Sequence, residues 1–508
     1  MNSLEKSYNY IKDFTEKYKL FLLVFILLMA ILIRLIKINS PLADHHCWRQ
    51  TDTAAIARNF YRNGFRLLYP QIDWGGASKG YVESEFQIYP FIVALLYKVF
   101  GLHEVIGRLI SVLFFVGSML LIYFLAKEFY DEKVALMSAF IFSVLPMNIY
   151  FSRTFMPESM MIFCSIGLIY YFYKWITYQK GIDFLLAAIL GALAFLIKIP
   201  TLYLGFPLLY LSWKKYGIRF ICNKKLWLFF SLIIIPPILW YAHAHSLLKQ
   251  YGLSFGIWDI GQDKWGNWGI WIKGDFYRTL YDRLRKPVLT APGFFIFIFG
   301  LILGIKDEKQ NVLRYWLLGI VVYFFLIARG NMVHDYYQLP IIPVASIIIA
   351  AGINILLKKH IIIINQVKIN PYIVSSIAFL LLVVFIPFEG YKRCRKNYRT
   401  NQTIYEAGNA IKGNTPEGSL IISSDDGIHN PEIFYLGDRK GWHVGLNNES
   451  SLIQKYIGEG AGYFIASFEE ISNNTEKFIR ENPLGRYLEQ NFSVLISNER
   501  FVIFKLTR

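Results

Sequence analysis

The sequence has few charged residues and few cysteines, and these shortages narrow the classes of protein that it can encode. Only 18% of the 508 residues are charged, whereas 55% are apolar, which argues against a purely soluble enzyme. The net charge is +17, but Lys and Arg lie between long apolar runs and not in patches on a polar face, so nucleic-acid binding is not expected. The four cysteines lack the paired spacing of a zinc site and are too scattered for a disulfide framework: Cys47, Cys164, Cys222 and Cys394.

Long apolar runs recur between residues 20 and 389, and many approach the length of about 20 residues that a helix needs to cross a bilayer. The sequence therefore predicts a polytopic α-helical membrane protein with about 11 to 13 transmembrane helices. Predicted spans lie near 18–38, 105–127, 133–151, 157–176, 182–198, 200–213, 226–245, 291–305, 313–329, 337–357 and 369–389. The first could instead be a signal peptide, but no small-x-small cleavage site follows it, so an anchor with snorkelling Arg34 and Lys37 is predicted.

Lys and Arg in the short loops predict the orientation of these spans. If the N-terminus is cytoplasmic, the inner short loops carry most of these residues, and the outer turns hold only Arg153, Lys198 and Arg329. Three large segments then face outward, near 39–104, near 246–290 and after about 390. The last alternates the short apolar runs SLIIS, GYFIA, FSVLI and RFVIFKL with helix-like stretches, which predicts a small α/β domain. The predicted domains are a membrane domain at 1–395, with the first outer loop at 39–104, and an extracytoplasmic domain at 396–508.

The first outer loop is too rich in acidic residues to be a simple connector. Thr51 or Asp52 can cap a helix that ends near Gly64, and the apolar stretch at 88–100 is too short to cross a membrane. Both segments are predicted to lie in the membrane interface. Carboxylates lie before and between them, at Asp44, Asp52, Asp73, Glu83 and Glu85.

This loop, the following GRLISVLFFVGSMLLIYFLAKEFY and the segment SRTFMPES at 152–159 resemble the GT-C superfamily of polytopic glycosyltransferases. The likeness is to its protein O-mannosyltransferase and aminoarabinose (lipid A) transferase branch, and it extends over about residues 38–180. The resemblance implies transfer of a sugar from a polyprenyl-phosphate carrier to an acceptor on the extracytoplasmic side. It also implies a GT-C fold with a small outward C-terminal domain.

The resemblance further implies two catalytic carboxylates and an acidic substrate-binding residue. The first-loop aspartate that acts as a base corresponds to Asp44, and the second acid corresponds to Glu158, where the family often has Asp. The Glu-Lys-Pro-Pro motif of the aminoarabinose enzymes is replaced by ESEFQIYP, without the lysine that would meet the lipid phosphate. Glu85 is assigned to this motif because it directly precedes the apolar helix, and Glu83 is the alternative.

Cations at the outer ends of spans are candidates for binding the carrier phosphate. They are Arg153, Lys198, Arg329 and His334, of which Arg153 is preferred. The HDYYQLP turn resembles the family's late tyrosine and proline turn, which implies a phosphate contact by Tyr337, with Tyr336 as the alternative. Arg58 is assigned to substrate binding, and a membrane-surface anchor is its alternative interpretation.

Together these features predict an inverting glycosyltransferase of the cytoplasmic (inner) membrane, in cell-envelope glycan or lipopolysaccharide modification. The sequence has no G-x-x-x-x-G-K-[ST] or G-x-G-x-x-G loop and no D-x-D motif, and nucleotide sugars are not supplied outside the membrane, so the donor is expected to be lipid-linked. The acceptor is a glycan, a lipid or a protein. The alternatives are a transporter or flippase of lipid-linked glycan and a transferase of the O-antigen ligase or polymerase type. No metal or cofactor is assigned, and a divalent cation among His45, His46, Asp44 and Asp52 is left open.

Overall fold

The computed structural model describes residues 3–257, 264–357, 363–364, 367–368, 380–425, 431–468 and 474–506. Its α-helices up to residue 251 are α1 (Ser3–Leu35), α2 (Cys47–Asn63), α3 (Ile88–Phe100), α4 (Glu104–Phe129), α5 (Glu132–Val144), α6 (Pro146–Phe151), α7 (Glu158–Tyr178), α8 (Gly181–Ile197), α9 (Gly205–Tyr216) and α10 (Lys224–Tyr251). Those that follow are α11 (Trp268–Trp271), α12 (Gly274–Arg283), α13 (Ala291–Leu303), α14 (Asn311–Leu326), α15 (Ala328–Val333), α16 (Ile341–Leu357), α17 (Ile386–Cys394), α18 (Gln402–Asn414), α19 (Glu432–Leu436), α20 (Ser450–Gly458), α21 (Thr475–Glu481) and α22 (Pro483–Asn491). The strands are β1 (Ile363–Ile364), β2 (Val367–Lys368), β3 (Leu420–Asp425), β4 (Lys440–Gly445), β5 (Ala461–Ser467), β6 (Ser493–Ser497) and β7 (Phe501–Lys505).

The chain forms two compact units, each built from separate segments of the sequence. The membrane unit comprises Met1–Ile38, Leu109–Tyr241 and Trp258–Lys396, and the sheet unit comprises Asn39–Arg108, Ala242–Ile257 and Asn397–Arg508. The predicted domain division is corrected by this result. The first outer loop belongs with the C-terminal residues and not with the spans, although the predicted boundary near residue 395 agrees with the start of the last segment.

Helices occupy ten of the eleven predicted span positions, and the eleventh, near 369–389, lies largely outside the described residues. Among the described residues, four helices are long and apolar enough to cross a membrane by themselves: Thr15–Leu35, Glu104–Phe129, Glu158–Tyr178 and Lys224–Tyr251. A fifth candidate is the pair Gly274–Val288 and Ala291–Leu303, which is bent by 107°. Several others are apolar but shorter than a span, so the chain is a multi-pass helical membrane protein.

Arg34, near the end of α1, is fully buried in the membrane unit. Its guanidinium lies over the ring of Phe115 and donates to three carbonyls and one hydroxyl, those of Ala30, Ser143, Asn148 and Ser152. Several of these acceptors surround the break at which α5 ends and Pro146 begins α6. A break leaves carbonyls without the partner that a continuous helix would supply, and Arg34 donates to two carbonyls beside this break, those of Ser143 and Asn148, of which Asn148 also accepts from the N–H of Ser152. The prediction that Arg34 snorkels to the membrane surface is therefore wrong.

The C-terminal part of the sheet unit is a five-stranded mixed sheet with the order β4-β3-β5-β7-β6. β3 is parallel to both of its neighbours, whereas β7 is antiparallel to β5 and β6. Ile421 and Ile422 point to opposite faces, as alternate strand residues do, and each joins a separate apolar core. Helices cover both faces, and this confirms the predicted α/β domain.

Main-chain hydrogen bonds attach the first outer loop to strand β4. The N–H groups of Gly75 and Gly76 donate to the carbonyl of Gly441 at 3.0 and 2.7 Å, and the N–H of Gly441 donates to the carbonyl of Asp73 at 3.1 Å. Gly76 has a φ of +68°, and a Cβ there would lie 2.0 Å from the ring of Trp442. The loop thus extends the sheet at its β4 edge, which explains why these distant segments form one unit.

Candidate active site

α2 carries the first-loop segment that resembles the glycosyltransferase motif, and the structure buries it. The helix begins at Cys47, after His46, whose backbone is left-handed with a φ of 57°. Thr51 and Asp52 lie inside the helix, so the prediction that one of them caps it is wrong. Every residue from Arg49 to Phe60 is buried, whereas a helix in the membrane interface would expose its polar face. The interfacial position predicted for α2 is corrected, because protein covers both faces.

Asp44 lies three residues before α2 and is 3% exposed. Its Oδ1 accepts a hydrogen bond from Nε2 of Gln50 at 2.5 Å, and its Oδ2 lies 3.7 Å from Nη2 of Arg108. Arg108 also donates to the carbonyls of Ser40 and Pro41, and so it holds the segment that leads to Asp44. A carboxylate held by charged and amide donors has a fixed orientation, as a general base requires.

Glu85 lies beside the same helix, where Nη2 of Arg49 contacts its two carboxylate oxygens at 2.9 and 3.0 Å. Its side chain remains 19% exposed. Glu83 is fully buried, and its Oε2 accepts a hydrogen bond from the hydroxyl of Ser254. Of the two glutamates considered for the substrate contact, only Glu85 combines an arginine partner with access to solvent.

Arg58 is buried among residues of the sheet unit. Its guanidinium lies 2.5 Å from Asp73 and 3.0 Å from Asp438, and it donates to the carbonyl of Tyr435 at 2.9 Å. Burial raises the pKa of Asp438, but the hydrogen bond from Arg62 and the charges of Arg58 and Arg62 outweigh it and lower the pKa to about 2. These contacts give Arg58 a structural role, and its contact with substrate stays a prediction.

Asp52 is a buried acid whose pKa the structure shifts upward. Burial raises the pKa of Asp52 well above its ordinary value, and the charge of Arg49 and the hydrogen bond from Trp74 only partly oppose this rise. The indole N–H of Trp74 donates to Oδ1 of Asp52 at 3.1 Å. A divalent cation competes with the proton for a carboxylate ligand, so a raised pKa makes metal binding at Asp52 more dependent on pH, and the metal alternative stays open.

In the membrane unit, α7 and α8 form a hairpin with an ion pair at each end. Oε1 of Glu158, the first residue of α7, lies 2.7 Å from Nζ of Lys198, which directly follows α8. At the other end, Nζ of Lys174 lies 3.8 Å from Oδ1 of Asp183. Both acids occupy the first turn of a helix, where the helix dipole stabilises negative charge.

Two tyrosines complete a group at the Glu158 end of the hairpin. Nζ of Lys198 lies 5.0 Å from the ring centroid of Tyr336 and 5.6 Å from that of Tyr337. We call Glu158, Lys198, Tyr336 and Tyr337 the Lys198 cluster. The ring of His334 lies 5.3 Å from both tyrosine rings. Tyr336 is buried and Tyr337 is partly exposed, which favours Tyr337 for a contact with substrate.

Arg153, the cation preferred from the sequence, is fully buried. Its Nη2 donates to the carbonyl of Lys37 at 2.8 Å. Glu158 instead borders a small cavity, with room for about one water molecule, whose wall includes Ser152 and Ser159. The structure thus places Lys198 beside the second acid and the tyrosines, and the phosphate contact of Arg153 stays a prediction.

The structure brings several predicted site residues together within each unit. In the membrane unit, Glu158 and Tyr337 lie beside Lys198, and His334 contacts the ring of Tyr337. In the sheet unit, Asp44 and Glu85 contact successive residues of α2. Sequence analysis counted Lys198 among the outer cations without selecting it. The available signal was its position, because Glu158 and Lys198 bound the two helices of one hairpin and must lie at the same end.

Part of the chain matches a known protein family. Residues 87–241 match the family model described as dolichyl-phosphate-mannose-protein mannosyltransferase. Two curated relatives, both from Aquifex aeolicus (strain VF5) and both described as "Uncharacterized protein", are 28% identical over 315 and 277 residues, or 59% and 52% of this chain. The matches cover 65% and 52% of those relatives, so the chain spans less than two thirds of their length.

Solved structures of membrane glycosyltransferases share the fold over nearly the whole chain. ArnT from Cupriavidus metallidurans bound to undecaprenyl phosphate is similar with a TM-score of 0.65 and 11% identity, over 95% of this chain and 98% of that one. The oligosaccharyltransferase of Archaeoglobus fulgidus in the apo form is similar with a TM-score of 0.61 and 13% identity, over 93% and 73%. At these identities the likeness establishes the architecture, and it confirms the fold class predicted from the sequence.

Proposed function

Because this chain has the GT-C fold of polytopic membrane glycosyltransferases, we propose that it transfers a sugar from a polyprenyl-phosphate carrier to an acceptor hydroxyl outside the cytoplasmic membrane. The description of the matching family names dolichyl-phosphate mannose, which is a polyprenyl-phosphate sugar, and one similar structure contains undecaprenyl phosphate. The α7–α8 hairpin supports the proposal that the reaction takes place at the outer face of the membrane. Lys174 and Lys180 lie at the end opposite the Lys198 cluster, and the positive-inside rule assigns that end to the cytoplasm.

The observation that carries the proposal is the Lys198 cluster. In a lipid-linked sugar, a phosphate joins the sugar to a polyprenyl chain that lies in the membrane. The site that binds this phosphate therefore needs a cation and hydrogen-bond donors at the end of a membrane span. Lys198 supplies the cation and Tyr337 a hydroxyl, while Glu158 balances the charge of the lysine before the donor arrives. Lys198 thereby takes the role of the lysine that is missing after Glu85.

Asp44 is assigned the role of the base. Its position is fixed by Gln50 and Arg108, and Glu85 with its exposed edge is assigned to the substrate. The acceptor oxygen attacks the anomeric carbon and its proton passes to Asp44, while the bond from that carbon to the phosphate oxygen breaks. The bonding electrons leave with polyprenyl phosphate, whose negative charge Lys198 stabilises. A single displacement of this kind inverts the anomeric configuration.

The direct test is transfer by the full chain reconstituted in nanodiscs. Donors are polyprenyl phosphates that carry radiolabelled mannose, glucose or aminoarabinose, and acceptors are cell-envelope extracts. We expect labelled product and released polyprenyl phosphate from one donor, and a rate about 10²- to 10⁴-fold lower for Asp44→Asn.

The matched control is Asp73→Asn, the same change at another buried, arginine-paired acid of the first outer loop. This variant should elute as a folded species and should still transfer the sugar. Near wild-type transfer by Asp44→Asn would remove Asp44 from the mechanism. A donor that crosses vesicle membranes with its sugar still attached would support the flippase alternative instead.

A further inference from the structure

The sheet unit contains a polar crevice that takes no part in the proposed transfer reaction. Its volume is about 610 Å³, within the range of small-molecule sites. It is lined by Asp425 at the end of β3, by residues 445–448 at and after the end of β4, and by residues 477–478 and 481–483 at the end of α21 and the start of α22. It shares no residue with the Lys198 cluster or with the surroundings of Asp44.

The strand order places this crevice where an open parallel sheet binds ligands. The connection from β3 leads to α19, which packs on the face that contains Ile421. The connection from β4 leads to α20, which packs on the opposite face with Ile422. When neighbouring parallel strands send their connections to opposite faces, a crevice opens at their carboxyl ends, and ligands bind there. Asp425 and Gly445 end the two strands at that point.

The side chains around the crevice favour a neutral ligand with many hydroxyl groups. Asp425 forms a buried floor and is 5% exposed, while Glu481 and Lys477 lie exposed at the rim. Lys477 and Glu481 carry opposite charges, and the Asp425 carboxylate lies 3.9 Å from the ring of His443, so the described lining has no excess of positive charge that would favour an anion such as a nucleotide. The amides of Asn447 and Asn448 also line the crevice and offer donors and acceptors, while Asn482, whose Oδ1 caps α22, offers its amide N–H groups.

Carboxylates and amides pair well with adjacent sugar hydroxyls, because each hydroxyl both donates and accepts a hydrogen bond. Phe478 and Leu446 add apolar surface for the C–H groups of a sugar ring. We propose that this crevice is a carbohydrate-binding site of the sheet unit. The proposal stands on the sheet topology and the crevice lining, and it holds whether or not the transfer reaction does.

Binding to the full-length protein in nanodiscs tests the proposal, since maltoside detergents are themselves carbohydrates. The probes are the methyl glycosides of glucose, galactose, mannose and N-acetylglucosamine, together with maltotriose, observed by saturation-transfer difference NMR. At least one should bind. Glu481→Gln and Asn448→Ala should each weaken binding about tenfold, the loss expected for one hydrogen bond to a charged or amide group.

The control is Glu489→Gln, the same change at an exposed residue of α22 outside the crevice, which should bind as the wild type does. Unchanged melting temperatures of all three variants will show that they are folded. Two results would overturn the proposal: no saccharide binds, whether or not Ca²⁺ does, or the crevice variants bind like the wild type. The binding assay contains no lipid-linked donor, so its failure leaves the transfer proposal untouched.

Discussion

Lys198 is the single residue on which the donor-binding proposal depends most. Replacement by Met removes the cation that we assign to the carrier phosphate, so kcat/KM should fall about 10²- to 10³-fold, the usual cost of losing one preorganised stabilising group. Lys174→Met is the matched control, because it breaks the ion pair at the other end of the same hairpin. Lys174→Met likewise leaves a buried acid, Asp183, without its lysine, but at the end of the hairpin opposite the Lys198 cluster, so its transfer rate should stay within about twofold of the wild type. The measurement is steady-state transfer in nanodiscs.

A fold defect could imitate this result, since Lys198→Met leaves Glu158 buried without its lysine. Lys198→Arg keeps the positive charge and should recover a substantial part of the activity. If Lys198→Met, Lys174→Met and the wild type transfer at equal rates, the cluster does not bind the donor.

Asp52 gives a prediction about pH and stability. Its pKa is raised on folding because it is buried, so the folded protein binds its proton more tightly than the unfolded chain does. Above the raised pKa, burial of the ionised Asp52 lowers the free energy of unfolding by its full amount. This loss shrinks as pH falls from the raised pKa towards the unfolded pKa of about 3.9. Asp52→Asn keeps an acceptor for Trp74 and removes this cost. Its melting temperature should exceed that of the wild type by several degrees at neutral pH and approach it in acid, and an equal difference at all pH values would contradict the prediction.

The acidic candidates were selected by motif position and the cations by their place at the ends of spans, and the roles of both stay predictions. Asp44, Glu158 and Glu85 follow from motif positions, and all three lie in defined surroundings. The functions of Arg34, Arg58 and Arg153 depend on which carbonyls and carboxylates surround them in three dimensions. Arginine at the end of an apolar run is equally compatible with snorkelling and with burial, so the run alone could not show that Arg34 bonds to the α5–α6 break.

At the scale of elements, the pairing between the first outer loop and β4 depends on Gly441. A Cβ at this position would lie 1.7 Å from the carbonyl oxygen of Ile421, a main-chain atom that cannot move without breaking the sheet. Gly441→Ala should therefore separate β4 from β3 and lower the melting temperature markedly. Gly462→Ala in β5 is the control, since its Cβ would have its nearest neighbour at 4.0 Å. Equal melting temperatures for the two variants would show that the edge tolerates a side chain.

Helices and strands were predicted correctly where a short stretch of sequence carries their apolar or alternating pattern. Apolar runs located the helices of the membrane unit, and alternating runs located β3, β5, β6 and β7. Sequence analysis missed β4, α19 and α22. The β4 segment, KGWHVG, lacks a run of β-branched residues, and it is a strand because β3 and the first outer loop bond to it from either side.

At the scale of the whole molecule, the division into units could not be predicted from the sequence. The first outer loop and the C-terminal residues are separated by more than two hundred positions, and hydropathy reports only which segments enter the membrane. Their association rests on the Gly441 pairing and on arginines of α2 that contact Asp438. The apolar runs therefore predicted the helices of the membrane unit, whereas tertiary contacts determine which segments make up each unit.

Replacing Asp438 tests whether ion pairs, in addition to the hydrogen bonds of the sheet, stabilise the sheet unit. Its pKa of about 2 lies below the unfolded value, so its pairing stabilises the fold above about pH 4, and this stability is lost as pH falls towards 2. Asp438→Asn should cost about 1 to 2 kcal/mol at neutral pH, after allowance for partial exposure, and abolish the loss between those pH values. Hydrogen exchange should increase in α2 and at residues 73–76. Glu406→Gln, which removes an exposed partner of Arg500 in the same unit, should change neither quantity. If the two variants exchange alike, the contacts of Asp438 do not hold α2 in the sheet unit.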